Sequence, residues 1–155
     1  MKLLVFSDSH GNSERMLRAI EHFSPDMVLH LGDGGRDIAK IKSQFPDMPL
    51  KAVKGNCDIS SSLPEREIIS VNGAKLFLTH GHHYSVKSTA SLIISEAVSL
   101  GANAVLFGHT HKSVNYYDQG VLVINPGTAG YPPMQTCAVL EISDRGELLS
   151  RIIRL

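Results

Sequence analysis

Leu3-Leu4-Val5-Phe6-Ser7-Asp8-Ser9-His10-Gly11 sets the pattern for most of the chain: a short apolar run, then an abrupt polar turn with a glycine. Such a run, bounded by Gly and Asx residues, reads as a buried strand that ends where the polar cluster begins. The arrangement recurs four times. Met27 to Leu31 stops at Gly32-Asp33-Gly34-Gly35, and Leu50 to Lys54 at Gly55-Asn56-Cys57-Asp58. Lys75 to Leu78 stops at Thr79-His80-Gly81-His82-His83, and Ala104 to Phe107 at Gly108-His109-Thr110-His111.

Helical periodicity fills several of the intervals. Met16, Leu17, Ile20 and Phe23 form one apolar stripe within 13–23, with Asn12 or Ser13 as the expected N-cap. A shorter helix is expected over 36–45, and another over 88–100 that Gly101 terminates. Residues 66–78 read instead as a hairpin turning at Asn72-Gly73. Beyond His111 the pattern is strand-rich, over 114–117, 121–124, 136–142 and 148–153. The expected fold is one α/β domain over 1–155 with mixed sheets, βαβ units first and antiparallel strands later.

Bulk composition narrows the partners more than it identifies them. Fifteen acidic residues balance fifteen basic ones, so no global field draws the protein to nucleic acid or membrane. The N-terminal apolar run is too short for a signal peptide, and no apolar stretch is long enough for a spanning helix. Cys57 and Cys137 are too few for a disulfide framework, which makes a reducing cytoplasm the expected location.

The informative feature is where the polar residues fall. Asp8, His10, Asp33, Asn56, His80, His109 and His111 all lie at or just past the end of an apolar run. Ligands of open α/β sheets bind beyond the carboxyl ends of the strands, so parallel neighbours would bring these turns to one edge. Taken singly, each piece is ordinary: Asp8-x-His10 is a turn motif, Gly32-Asp33 and Gly55-Asn56 are turn dipeptides, and His80 suits a strand end. Only His109-x-His111 suggests a ligand pair by itself. Together they form a cluster that needs a cation, because packed imidazoles without one would protonate and repel or keep unmet hydrogen bonds. His22 reads as a helix-surface residue and His30 as a strand residue, neither with a role. His82 and His83 are near enough to contact a substrate.

In this order the blocks Asp8-Ser9-His10, Gly32-Asp33, Gly55-Asn56-Cys57-Asp58, His80 and Gly108-His109-Thr110-His111 resemble the calcineurin-like metallophosphoesterases. Asn125-Pro126-Gly127-Thr128 is similar to the N-P-G-S turn of a compact bacterial and archaeal branch associated with phosphodiesterase activity. The resemblance implies a four-layer αββα sandwich of two mixed β-sheets flanked by helices. It places Asp8, His10 and His111 on one divalent ion and Asn56, His80 and His109 on a second, with Asp33 bridging. Asp33, Asn56 and His80 then stand closest to the chemistry. Ions about 3.5–4 Å apart can share a hydroxide and orient it for in-line attack on phosphorus. With Asp8, Asp33 and that hydroxide counted, the core carries about +1, enough to receive a phosphate-ester anion in a neutral protein. Imidazole, carboxylate and amide donors suit Mn, Fe, Co, Ni or Zn, with Mn placed first.

Two departures matter. Cys57 stands where much of the family has a histidine assigned to help the leaving oxygen depart, and a thiol is a weaker acid and a weak donor. It reads as a small filler, with no phosphate-binding loop around it to make it a nucleophile. Asp58 remains, able to orient a neighbouring histidine or a substrate water. After Thr128, the run Ala129-Gly130-Tyr131-Pro132-Pro133 lacks the basic residue found in relatives, although Thr128 presents a hydroxyl in place of serine. The expected function is therefore phosphodiester hydrolysis, against a phosphomonoesterase or an interaction scaffold of the same fold. The retention of all seven ligands favours the enzyme. Self-association into a homo-oligomer is left open.

Overall fold

A computed structural model describes residues 1–155. Its strands are β1 (Lys2–Phe6), β2 (Met27–His30), β3 (Leu50–Ala52), β4 (Arg66–Val71), β5 (Ala74–Thr79), β6 (Ala104–Leu106), β7 (Val114–Asp118), β8 (Val121–Asn125), β9 (Thr136–Ile142) and β10 (Leu148–Arg154). The helices are α1 (Glu14–Phe23), α2 (Gly35–Gln44) and α3 (Ser91–Ser99), with a 3-10 turn at His82–Tyr84. Two five-stranded sheets result, ordered β10-β9-β1-β2-β3 and β4-β5-β6-β8-β7. In the first, β1, β2 and β3 are parallel; in the second, β5, β6 and β8 are parallel.

Alternation of side chains along each strand makes the layers. Leu3 and Val5 of β1 point between the sheets, where they meet a cluster including Leu76, Leu106, Ile124 and Leu140. Leu4 and Phe6 point the other way, against Met16 and Ile20 of α1 and Ile41 of α2. Phe77, Val105 and Val123 of the second sheet pack on Ile93, Ile94 and Ala97 of α3. Helices therefore cover the outer face of each sheet, giving the αββα order. Strands covered on both faces lose the polar alternation of a half-exposed strand, which is why they read as continuous apolar runs. Each fully buried aliphatic or aromatic side chain contributes roughly 1.5–3 kcal/mol relative to exposure.

Local expectations hold with three differences. Asn72 (φ 47°) and Gly73 (φ 82°) both take left-handed geometry, as a tight hairpin between β4 and β5 requires. Gly101 closes α3: its N–H donates to Val98 and that of Ala102 to Ala97, the paired bonds of a left-handed helix stop. However, α3 begins at Ser91 instead of residue 88, because the Thr89 hydroxyl takes the Ser91 N–H and the preceding residues form separate turns. Ser13 occupies the cap position of α1 but makes no side-chain cap bond, and Asn12 donates to the Gly130 carbonyl. The five polar turns also do not hang from a single sheet: three follow β1, β2 and β3, and two follow β5 and β6 of the other. No helix is long and apolar enough to cross a membrane.

Candidate metal centre

Both sheets deliver their turns to one end of the sandwich, and the backbone there is held in unusual geometry. Asp8 (φ 54°), His10 (φ 47°), Asp33 (φ 56°), His109 (φ 66°) and His111 (φ 58°) all occupy the left-handed region. Non-glycine residues adopt it rarely, and a cluster of them marks turns whose side chains are aimed by surrounding contacts at some energetic cost. The contacts are close. A Cβ on Gly55 would collide with the Asp33 carboxylate, and one on Gly108 with the Ser7 hydroxyl.

Each buried carboxylate uses one oxygen on the backbone and offers the other to the pocket. Asp8 Oδ2 accepts the His109 N–H at 3.0 Å, leaving Oδ1 3.1 Å from His111 Nε2 and about as far from His80 and His10 as ion-pair reach allows. Asp33 Oδ1 accepts the Cys57 N–H at 2.8 Å, and Oδ2 lies 3.4 Å from His80 Nε2 and 3.9 Å from His10 Nε2. His80 is fully buried, and its Nδ1 sits 2.7 Å from the Leu31 carbonyl. That contact places the proton on Nδ1 and turns Nε2 into the pocket, 3.2 Å from Asn56 Oδ1. His109 packs edge-on to His80, with ring centroids 5.1 Å apart. All seven residues singled out in the sequence therefore meet at one place.

Electrostatics and unmet bonding point to a cation. Burial works to raise the Asp33 carboxyl, but the neighbouring His80 imidazole and the Cys57 N–H outweigh it and hold the group well below the usual carboxylate range. Burial likewise works to lower His80, yet Asp33, Asp8 and the Leu31 carbonyl raise it above the ordinary imidazole value. His109 is pushed down to about 4 by burial, assisted by the His80 and Lys87 charges. Asp8 Oδ1 and His10 Nε2 are buried without a well-formed hydrogen bond, His111 Nε2 standing 3.1 Å from Asp8 Oδ1 but out of hydrogen-bond alignment. Leaving such atoms unmet is costly, and carboxylate and imidazole donors converging within 4.8 Å are the donor set of a divalent transition metal. Asp8, His10 and His111 form one such group, and Asp8, Asp33 and His80 another.

The remaining expected residues divide. Cys57 is exposed at the rim, within 4.8 Å reach of His10 and Asp33. Partial burial and the Asp33, Asp58 and Asp8 carboxylates raise its thiol, so the sulfur keeps its proton. Asp58 braces the backbone of the neighbouring turns from the wall of the cleft. Its Oδ2 accepts the N–H groups of Asp33 and Gly55 at 2.7 and 2.9 Å, and its Oδ1 that of Gly35 at 2.9 Å. The Thr128 hydroxyl is also committed inward: it donates to the Asp8 carbonyl at 2.8 Å and accepts from Gly130 and Tyr131 N–H, so it is not presented to substrate. His82 stands 5.5 Å from His80 by ring centroids and faces Glu65 together with His83.

Four contributors escaped sequence reading. His30, wholly buried, meets the Ser9 hydroxyl at 3.1 Å, and Ser9 donates to Asp37 at 2.6 Å. Asp37 also takes the Gly11 N–H, so this chain of bonds pins the Asp8–His10 turn. Tyr131 lies over His111 at 5.3 Å, nearly parallel, and 4.9 Å from His10. Their only sequence signal was polarity inside or beside apolar runs.

Known proteins resemble this chain in sequence and in fold. The sequence profile of the calcineurin-like phosphoesterase superfamily domain matches residues 1–145. The probable metallophosphoesterase YsnB of Bacillus subtilis is 31% identical over 85% of this chain and 77% of its own length. A phosphodiesterase of Methanocaldococcus jannaschii is 31% identical over 82% of this chain and 83% of its own. Among solved structures, Vps29 of Entamoeba histolytica complexed with zinc superposes with a TM-score of 0.79 over 99% of both chains at 23% identity, a likeness of fold. With the profile covering nearly the whole chain and the fold reproduced end to end, the chain belongs to the calcineurin-like phosphoesterase superfamily.

Proposed function

We propose that this protein is a metal-dependent phosphodiesterase that holds two divalent ions, manganese first among them. Asp8, His10 and His111 serve one ion, Asn56, His80 and His109 the other, and Asp33 bridges them. The observation that carries the reading is the pair of buried orphans, Asp8 Oδ1 and His10 Nε2, in a pocket where Asp33 Oδ2 and His80 Nε2 also converge. Ions bound there supply Lewis-acid charge for a phosphate ester and bring the pKa of water toward neutrality.

The chain's own residues set the rest of the chemistry. His80, locked by the Leu31 carbonyl, presents a lone pair in fixed direction and so pre-organises the pocket. Tyr131 walls the His10 and His111 side. Cys57, at the rim, offers a departing alkoxide only a weak S–H donor, so esters of acidic alcohols should react faster than simple alkyl ones. A site of modest positive charge suits a diester monoanion better than a monoester dianion. Retention of all seven donors favours an enzyme over a scaffold.

The test is hydrolysis of bis(p-nitrophenyl) phosphate by chelator-stripped protein, before and after manganese is restored. Loss and recovery of turnover is the expected result, with p-nitrophenyl phosphate hydrolysed more slowly. A rate that chelation leaves unchanged, or a preference for the monoester, would overturn the reading.

A further inference from the structure

The cleft over the candidate metal ligands does not end at the histidines. Lys87 lines it alongside His109 and His111, and Lys87 also lines a neighbouring cleft of about 460 Å³. Val86, Phe107 and Val114 give this second cleft apolar walls, and Tyr116, 41% exposed, stands at its edge. Lys112 lies there too. Lys87 and Lys112, like most of the chain's basic side chains, have no carboxylate within ion-pair distance, so both ammonium charges are free to meet an anion in the cleft. Two unneutralised ammonium groups beside an aromatic ring and an apolar wall, in a protein of zero net charge, form a local site for a ring-bearing anion.

We propose that this second cleft binds one arm of the substrate, an alcohol that carries both an aromatic ring and a second anionic group, the chemistry of a phosphorylated nucleoside. The ring lies against Tyr116 and the apolar wall, and Lys87 and Lys112 neutralise the second anion while the scissile phosphate sits at the metal ligands. The inference rests on the phosphodiesterase reading above and names the substrate class for it. It also supplies a cation for a second phosphate, which the segment after Thr128 lacks.

Calorimetry on manganese-loaded protein tests the cleft directly. Adenosine 3′,5′-bisphosphate should bind about tenfold tighter than adenosine 5′-monophosphate, the increment of a well-placed rim charge. Adenosine 5′-monophosphate should in turn bind roughly tenfold tighter than ribose 5-phosphate, through stacking. The double variant Lys87→Ala/Lys112→Ala should bring the first ratio near one, and Tyr116→Ser the second. Flat ratios in the wild-type protein, or ratios that survive both variants, would overturn the proposal. Hydrolysis of bis(p-nitrophenyl) phosphate, measured on the same preparations, separates the two readings. Turnover with flat ratios removes the cleft alone, while steep ratios without turnover keep the cleft and remove the phosphodiesterase.

Discussion

Asp58 and Asn125 do comparable work in the two halves of the sandwich, by different means. Asp58, just past β3, ties the Asp33 and Gly55 turns together with a carboxylate that accepts three backbone N–H groups. Asn125, the last residue of β8, ties the His109–His111 turn by donating to the Gly108 carbonyl at 2.8 Å and to Thr110 Oγ1 at 3.0 Å. The charged brace is itself only partly buried, although Asp33 and Gly55, which it serves, are buried, so water can enter only where its side chain stood; the neutral brace is fully buried, so nothing can replace it. Burial, more than charge, should decide which brace the fold depends on. Charge should decide which one the ions feel.

The largest effect should come from the residue shared between the halves. Asp33→Asn halves the inward carboxylate and removes a charge, so turnover should fall by more than about 10²-fold, on the scale of losing a main electrostatic contact in an active site. Steady-state rates at saturating manganese measure this, and a rate within a few-fold of wild type would deny that the two halves meet at Asp33.

The two braces can be set against each other in thermal melts of metal-free protein. Asn125→Ala strands buried groups at about 1–3 kcal/mol each, so a loss of about 3 kcal/mol is expected. In a domain of this size that lowers Tm by about 10 °C. Asp58→Ala should cost about 1–2 kcal/mol, because water entering the space left by a half-exposed side chain takes over part of its bonding. The reverse ranking would mean that charge outweighs burial.

The half built on β1 and β2 should also be the one that senses acid through its buried support. Burial pushes His30 down to about 4 from an ordinary 6.5, so between those values the unfolded chain takes up the proton and the folded one does not. Stability is therefore lost as pH falls through this window, by up to about 3 kcal/mol. His30→Gln should flatten that limb in denaturant titrations of metal-free protein from pH 7 to 4. An unchanged limb would assign the acid response elsewhere.

The smallest expected effect concerns the rim. Cys57→His would restore an imidazole near the departing oxygen, raising turnover of alkyl diesters with little change for p-nitrophenyl esters. A leaving-group series on both proteins, with metal content matched, measures the slopes, and equal slopes would remove position 57 from leaving-group departure.

The sequence made the site more legible than its supports. Strand ends followed by Asp, Asn or His were visible because apolar runs stop sharply at Ser7, Gly32, Gly55, Thr79 and Gly108. The assembly into two sheets followed from the family resemblance, since periodicity alone cannot assign a buried strand to one sheet or another. Supporting residues were hidden for a physical reason: what matters in them is a partner far along the chain. Ser9 meets His30 and Asp37, and Thr128 meets Asp8 across 120 residues. Thr128 looked available to substrate because its side chain is polar, but backbone groups had already claimed it. The late start of α3 had a similar cause, a hydroxyl at Thr89 that competes for a backbone N–H.

Counting metal is the most direct test of the centre as a whole. Elemental analysis and anomalous diffraction on manganese-loaded protein should find two ions per chain, one beside Asp8, His10 and His111 and one beside Asn56, His80 and His109. Asp33→Asn should reduce the occupancy of both. A single ion in the wild-type protein, or two fully occupied ions in Asp33→Asn, would contradict a bridged pair held between the sheets.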